Sequence, residues 1–376
     1  MVDVIIAGAG PAGSIAALLL ARAGVRVFLI DREAFPRHKL CGDTLNPGAV
    51  ARLRSLGLSG GPLDRAVRLN GMRVTGPGAS VVGRYGDGVA ALALPRRDLD
   101  AWLLDQAVSA GARFECGLVV RLPLIDEASG VVRGVALSPP RGGAEWRMPA
   151  LVTVAADGRR SVLARAMGLR RERAAHRRWA FGVYAEDVSG MTDLGEMHIR
   201  AGWYLGLAPL GAGVTNVCLV TPPRPSGRTP LEVIRLAVGT DRDLNERLAR
   251  ARFIDRVRVL GPLASDVRVA GAPGLLLAGD AAGFVDPMTG DGLHLAFQSA
   301  ELAARTAMET LEHGDYRRSV GALTASLHNQ LAAKWRFNKG LRRLVDSPAA
   351  VGFATQAARL VPGLVRRAIR YAGDVQ

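Results

Sequence analysis

The sequence predicts an α/β fold in which a parallel sheet is interrupted by an antiparallel one and followed by helices. Three observations predict it. The apolar run Val2–Ala7 passes through Gly8-Ala9-Gly10-Pro11-Ala12-Gly13 into the helix-forming stretch Ser14–Ala23, the strand–turn–helix order that opens a βαβ unit. Between Trp179 and Thr221 the pattern changes to period two, in short pieces with a turn at Gly211–Gly213, as antiparallel strands require. Near the far end a short buried strand returns, Leu275–Ala278, and a long helix follows from about Leu293 to His313. The prediction is therefore a discontinuous Rossmann-like dinucleotide domain (1–70, 95–165 and 258–325), an inserted antiparallel substrate domain (71–94 and 166–257), and a C-terminal helical segment (326–376).

Each element has its own warrant. Gly8 makes the tight turn, Gly10 lets the backbone approach a pyrophosphate, and Gly13 lets helix and strand pack closely. The helix then offers unpaired amides and a positive dipole end to phosphate. The next strand, Val25–Ile30, ends in Asp31, about 20 residues beyond the glycines, where an acid accepts the ribose hydroxyls. Arg96–Ala110 reads as a helix capped by Asp98, burying Leu99, Leu103 and Ala107. Phe114–Val120 and Gly130–Leu137 read as strands, and Leu151–Ala155 as another, closed by Ala156-Asp157-Gly158. Ser226–Phe253 is polar and helical.

Bulk composition narrows the class. The chain has 376 residues, 49% of them apolar, enough for two subdomains around a large core. It has no apolar run long enough to span a bilayer. The first apolar run lacks a basic leader and enters the glycine turn directly, so a strand is expected there rather than a signal peptide. Cys41, Cys116 and Cys218 are widely spaced with no CxxC, which argues against a disulfide framework or a metal site and fits a cytoplasmic location. The net charge is +15, yet only Lys39, Lys334 and Lys339 are lysines. With no basic run interleaved with aromatics, nucleic acid is not an expected partner. From Leu331 to Tyr371 there are nine Lys/Arg against one acid, Asp346. Leu331/Trp335 and Leu341/Leu344/Val345 fall at helical spacing there. This segment reads either as a helical lid with solvated arginines or as a surface lying on anionic lipid.

Four motifs occur in order: Gly8–Gly13; Arg96-Arg97-Asp98-Leu99-Asp100; Ala156-Asp157-Gly158; and the run GDAAGFVDPMTGDG, Gly279–Gly292. Together they resemble the FAD-dependent oxidoreductases of the p-hydroxybenzoate hydroxylase superfamily, over residue 1 to about 320. The loop Phe35-Pro36-Arg37-His38-Lys39-Leu40-Cys41-Gly42-Asp43 is similar to that of the geranylgeranyl-reductase-like branch. The resemblance implies bound FAD, with NAD(P)H as reductant. No second GxGxxG offers NAD(P)H a Rossmann domain of its own. It assigns Asp31 and Arg32 to the adenosine end, Ala12 to the phosphate turn, Arg96 to the pyrophosphate and Asp157 to the motif that touches both nucleotides. Gly279 and Asp280 fall at the ribityl chain, where the alternative for Asp280 is an ordinary helix cap. Pro287, Gly290 and Gly292 fall at the flavin ring, with the following helix aimed at its pyrimidine edge.

Reaction type is less determined. Flavin halogenases use a lysine some tens of residues after the Cys41 loop, and this chain has none between Lys39 and Lys334. The reductase branch carries Tyr-x-Trp-x-Phe-Pro in its substrate sheet. Here the matching stretch is Tyr204-Leu205-Gly206-Leu207-Ala208-Pro209, which lacks two rings of roughly 150–250 Å² each. Either the pocket is wider, for a bulky hydrophobic or aromatic substrate, or another element packs closer at Gly206 and Ala208. The expected activity is monooxygenation with O₂, hydroxylation or epoxidation as in secondary metabolism. The alternative is saturation of C=C bonds in an isoprenoid or other lipophilic substrate. Candidate catalytic residues are Cys41, His294 and Tyr204. Neighbouring cations lower a thiol pKa, so Cys41 reads as a reactive thiol or as a small packed residue.

Overall fold

The computed structural model describes residues 2–171, 178–223, 227–284 and 286–375. Ser226, the expected start of one helical stretch, and Val285 of the fourth motif lie outside them. The strand Val2–Ala7 sits at the centre of a parallel sheet because Val4 to Ala7 expose no face to water. It pairs in parallel with Val27–Asp31 on one side and Trp146–Ala155 on the other. Arg113–Cys116 and Leu275–Leu277 extend the sheet outward, also in parallel. Strands from five distant stretches therefore share one sheet, which is the discontinuity the sequence predicts. From the first strand the chain passes to Val27–Asp31 on one side and returns at Trp146–Ala155 on the other, so its C-terminal end is a topological switch point where ligands bind.

The helix Pro11–Arg22 packs against Gly292–His313 and Arg96–Ser109 on this sheet. Asp98 does not cap the last of these. The cap position is Pro95, Asp98 lies exposed in the first turn, and the Arg96 amide donates to Asp43 at 3.0 Å. A remote acid thus does the work expected of a local one. The expected strand Phe114–Val120 is broken at Gly117, whose φ of +74° turns the chain. Its second half, Val119–Ile125, joins an antiparallel meander with Val132–Ser138 and the start of Trp146–Ala155.

A second sheet carries, in order, Arg252–Phe253, Trp179–Glu186, Val214–Thr221, Trp203–Gly211, Leu194–Arg200, Gly71–Gly76 and Ala79–Arg84. All neighbours are antiparallel except Leu194–Arg200 with Gly71–Gly76. Arg258–Leu260 also pairs with Trp179–Glu186, so this sheet runs past residue 257. Ala91–Ala93 instead joins Thr44–Leu45 and Val67–Leu69 in a small sheet at the junction. The expected single helical stretch after Ser226 is two helices, Pro230–Gly239 and Arg242–Leu248, each with its own cap, Thr229 and Asp241.

The chain ends in Tyr316–Asp346, Pro348–Leu360 and Pro362–Ala372. Proline opens the last two, where its missing amide costs nothing. These two helices lie on Ala79–Arg84. No described helix is long and apolar enough to cross a membrane.

Candidate active site

One cavity of about 1570 Å³ runs from the glycine turn to the C-terminal helices. That exceeds the roughly 300–1,000 Å³ of an ordinary small-molecule pocket and leaves space for a dinucleotide and a second molecule.

At its nucleotide end the three glycines have different reasons to exist. A Cβ on Gly13 would lie 1.8 Å from the Gly8 carbonyl oxygen, and one on Gly8 would lie 2.5 Å from that of Ala156. Both glycines are demanded by the protein's own packing. A Cβ on Gly10 would meet only the Arg37 guanidinium, at 3.5 Å. Gly10 lines the cavity, so its bareness serves a ligand. The helix that follows has no side-chain cap and no acid in its first turn, leaving its amides for an anion. Asp31 accepts from the Ala9 amide (2.8 Å) and the Glu33 amide (2.9 Å), which holds its carboxylate at the cavity wall beside Arg32. These residues fit FAD.

Ala12, Asp157, Gly279, Asp280, Pro287 and the glycines at 290 and 292 reach the same wall. Gly13 does not, since its role is packing. Gly279 has φ +60°, and a Cβ there would sit 2.8 Å from that of Ala12, so the fourth motif is pressed against the first. Burial raises the Asp280 carboxyl, and Lys39, Arg96 and Arg159 oppose it. The helix Gly292–His313 starts at the cavity without a side-chain cap, its positive end turned toward the site.

Arg96 lies flat on buried Asp100, donating through Nε (2.6 Å) and Nη2 (2.9 Å), and Arg37 shares that acid at 3.1 Å. The Arg-x-x-x-Asp spacing is thus an i,i+4 clamp that fixes two guanidinium groups at the wall. Arg37, legible in the sequence only as part of a loop, is the cation beside Gly10.

Cys41 lines the cavity, and its thiol meets the Arg96 guanidinium. The expectation of a lowered thiol pKa is corrected. Burial raises it, and Arg96 offsets only part of that. Behind it stands Asp43, which sequence reasoning did not single out. Asp43 is buried and accepts from Tyr184 (2.7 Å), Asn216 (2.7 Å) and the Arg96 amide (3.0 Å). Asn216 also donates to the Cys41 carbonyl at 3.0 Å. Burial pushes the Asp43 carboxyl up to about 6, against those donors. The signal for it was the Cys-Gly-Asp triplet. Its partners, far away in sequence, could not be found that way.

The other two catalytic candidates are corrected. Tyr204 is buried, its hydroxyl donates to Asp286, and the Arg178 guanidinium lies 5.8 Å from its ring centroid. It anchors the loop at Pro287 from outside the cavity. His294 is buried beneath Gly48 and faces Asp374 at 3.5 Å, also outside the cavity. It docks the end of the chain, where Lys334 bonds Asp374 at 2.8 Å. At Gly206 the nearest atom to a built Cβ is Met197 Cε at 3.7 Å. No element presses on Gly206, so the ring missing there leaves open volume, whereas Ala208 is packed against Leu69, Tyr85 and Ile369.

A family described as FAD binding domain matches residues 1–318. The menaquinone reductase of Mycolicibacterium smegmatis is 29% identical over 394 residues, covering 99% of this chain and 91% of that protein. Digeranylgeranylglycerophospholipid reductase 2 of Methanopyrus kandleri is 32% identical over 325 residues, covering 83% and 78%. Among solved structures, a geranylgeranyl bacteriochlorophyll reductase-like protein from Thermoplasma acidophilum superposes with a TM-score of 0.81 at 21% identity, covering 94% of this chain and 90% of that one. A flavin-dependent brominase gives 0.84 at 21%, covering 99% and 93%. At these identities the two structures share the fold.

Proposed function

Because this chain belongs to the FAD binding domain family, and is an FAD-dependent oxidoreductase, we propose that it saturates C=C bonds in the polyprenyl chain of a lipophilic substrate, with NAD(P)H as the electron source. The two reductases named above act on a quinone and on a glycerophospholipid. Those molecules share a polyprenyl chain and little else, so the chain is the part of the substrate that carries over. Bound FAD supplies the redox chemistry: two electrons taken from NAD(P)H leave as a hydride to one alkene carbon.

The observation that carries the reading is Cys41 at the cavity wall, its thiol against the Arg96 guanidinium. The second alkene carbon needs a proton, and a half-buried thiol at the wall is placed to give it. The thiolate left behind is stabilised by Arg96, which the Asp100 carboxylate keeps in place. Asp43, Tyr184 and Asn216 hold the Cys41 loop from behind. The helices Pro348–Leu360 and Pro362–Ala372 cover the substrate end and exclude water there.

One observation favours a second reading. The open space at Gly206 suits a wide, ring-bearing molecule, and a monooxygenase acting with O₂ on such a substrate fits it. The two are separated by supplying the FAD-loaded protein with NAD(P)H under argon, adding a geranylgeranyl lipid, and weighing the product. Our reading predicts products heavier by pairs of hydrogens before air is admitted. A product that forms only in air and is heavier by an oxygen atom would establish the monooxygenase instead.

A further inference from the structure

Away from the glycine turn, the cavity meets an apolar surface. Its substrate end is roofed by Pro348–Leu360 and Pro362–Ala372, whose inner faces bury Val351, Thr355 and Ile369. Their outer side carries the largest exposed apolar residues of this region: Phe353 is 78% exposed, Leu360 79%, Val361 51% and Leu364 57%. Phe353 and Leu364 also line the cavity, so the apolar surface and the cavity mouth are one continuous lip. An exposed apolar patch at a helix joint, where side chains contribute nothing to the core, marks an interaction surface.

The charge around this lip identifies the partner. From Ser347 to Gly373 there are four arginines, Arg359, Arg366, Arg367 and Arg370, and no acid. Arg359 and Arg366 donate to the backbone carbonyls of Gly78 and Val82, neutral partners that leave their charge uncompensated. Apolar side chains at the tip with a cationic collar are the pattern of a helix pair that seats in the interface of an anionic bilayer. We propose that these two helices dock the protein on anionic membrane, with Leu360 and Val361 inserted, and that Phe353 and Leu364 mark the door through which a molecule dissolved in the bilayer enters the cavity. This holds for a lipophilic substrate of either reaction type, so it does not depend on the reading given above.

The test is sedimentation of the FAD-loaded full chain with vesicles of phosphatidylglycerol and phosphatidylcholine, against vesicles of phosphatidylcholine alone. Each arginine near an anionic surface is worth about five-fold in partitioning, so the wild type should bind the anionic vesicles at least about ten-fold more tightly and release them in high salt. Leu360→Ser/Val361→Ser and, separately, Arg367→Gln should each weaken binding, the double variant by about ten-fold. Neither should change the far-ultraviolet circular dichroism or the FAD content. Equal partitioning of wild type and variants, or no binding to anionic vesicles, would overturn the proposal. So would a concentration-dependent dimer abolished by Leu360→Ser/Val361→Ser in the absence of lipid, which would assign the surface to a second copy of the chain.

Discussion

The Tyr184 hydroxyl donates to Asp43 at 2.7 Å while the Asp43 backbone sits at φ +52°, a left-handed conformation that few side chains tolerate. A buried acid is thus held in an unfavourable backbone state by donors from the antiparallel sheet, and it in turn ties that sheet to the Arg96 helix. Its carboxyl rises from 3.8 to about 6. A raised acid favours the folded state while protonated, so this contribution is fully present below about pH 4 and is lost as pH climbs past about 6. Asp43→Asn, which suits a left-handed backbone, should flatten the pH dependence of the melting temperature across that window. An unchanged slope would show that Asp43 does not titrate there. Asp43→Leu should lower stability by about 2 kcal/mol or more, since it strands three donors and strains the turn.

The three glycines of the turn should separate on substitution. Gly10→Ala meets nothing closer than 3.5 Å; it should fold normally and lose FAD affinity by at least about ten-fold, because the added methyl enters the pyrophosphate position. Gly13→Ala collides with a carbonyl oxygen at 1.8 Å and should cost about 3 kcal/mol or more. Thermal melts with a flavin fluorescence titration read both. Equal behaviour of the two variants would remove the distinction between packing and ligand roles.

Cys41→Ala should leave flavin reduction by NAD(P)H within a few-fold of wild type and slow alkene saturation by about 10²–10⁴-fold, the usual worth of a positioned proton donor. Rapid-mixing absorbance for the first step and product analysis for the second divide the two. Slowing of both steps alike would mean that Cys41 only shapes the loop.

Tyr204→Phe and His294→Ala should affect stability rather than chemistry. Removing the Tyr204 hydroxyl leaves buried Asp286 short of a donor, at about 1–3 kcal/mol, while the pH profile of turnover should be unmoved. A displaced pH profile in either variant would return that residue to the reaction.

The phosphate turn was legible in the sequence because its spacing is local: the strand, Gly8, Gly10, Gly13 and the helix follow one another directly, although the Ala156 backbone that forbids a side chain at Gly8 is distant in the chain. The interrupted sheet was legible because Trp179–Thr221 changes period. What escaped was decided by burial and by contacts distant in the chain. Cations beside Cys41 could be counted in the sequence, but the desolvation that outweighs them could not. Tyr204 and His294 looked available until helix Tyr316–Asp346 and the chain's end were seen to cover them. Asp43 meets Tyr184 and Asn216 only through the fold, and Asp98 lost its expected role because Asp43 reaches the Arg96 amide from elsewhere.

The most direct measurement is a single turnover without oxygen. FAD-loaded protein is reduced with one equivalent of NAD(P)H, mixed with a polyprenyl substrate under argon, and followed by flavin absorbance. Our account predicts that the oxidised flavin spectrum returns as the substrate gains hydrogen, quickly in the wild type and slowly in Cys41→Ala. A flavin that stays reduced with every prenylated substrate until oxygen is admitted would contradict it.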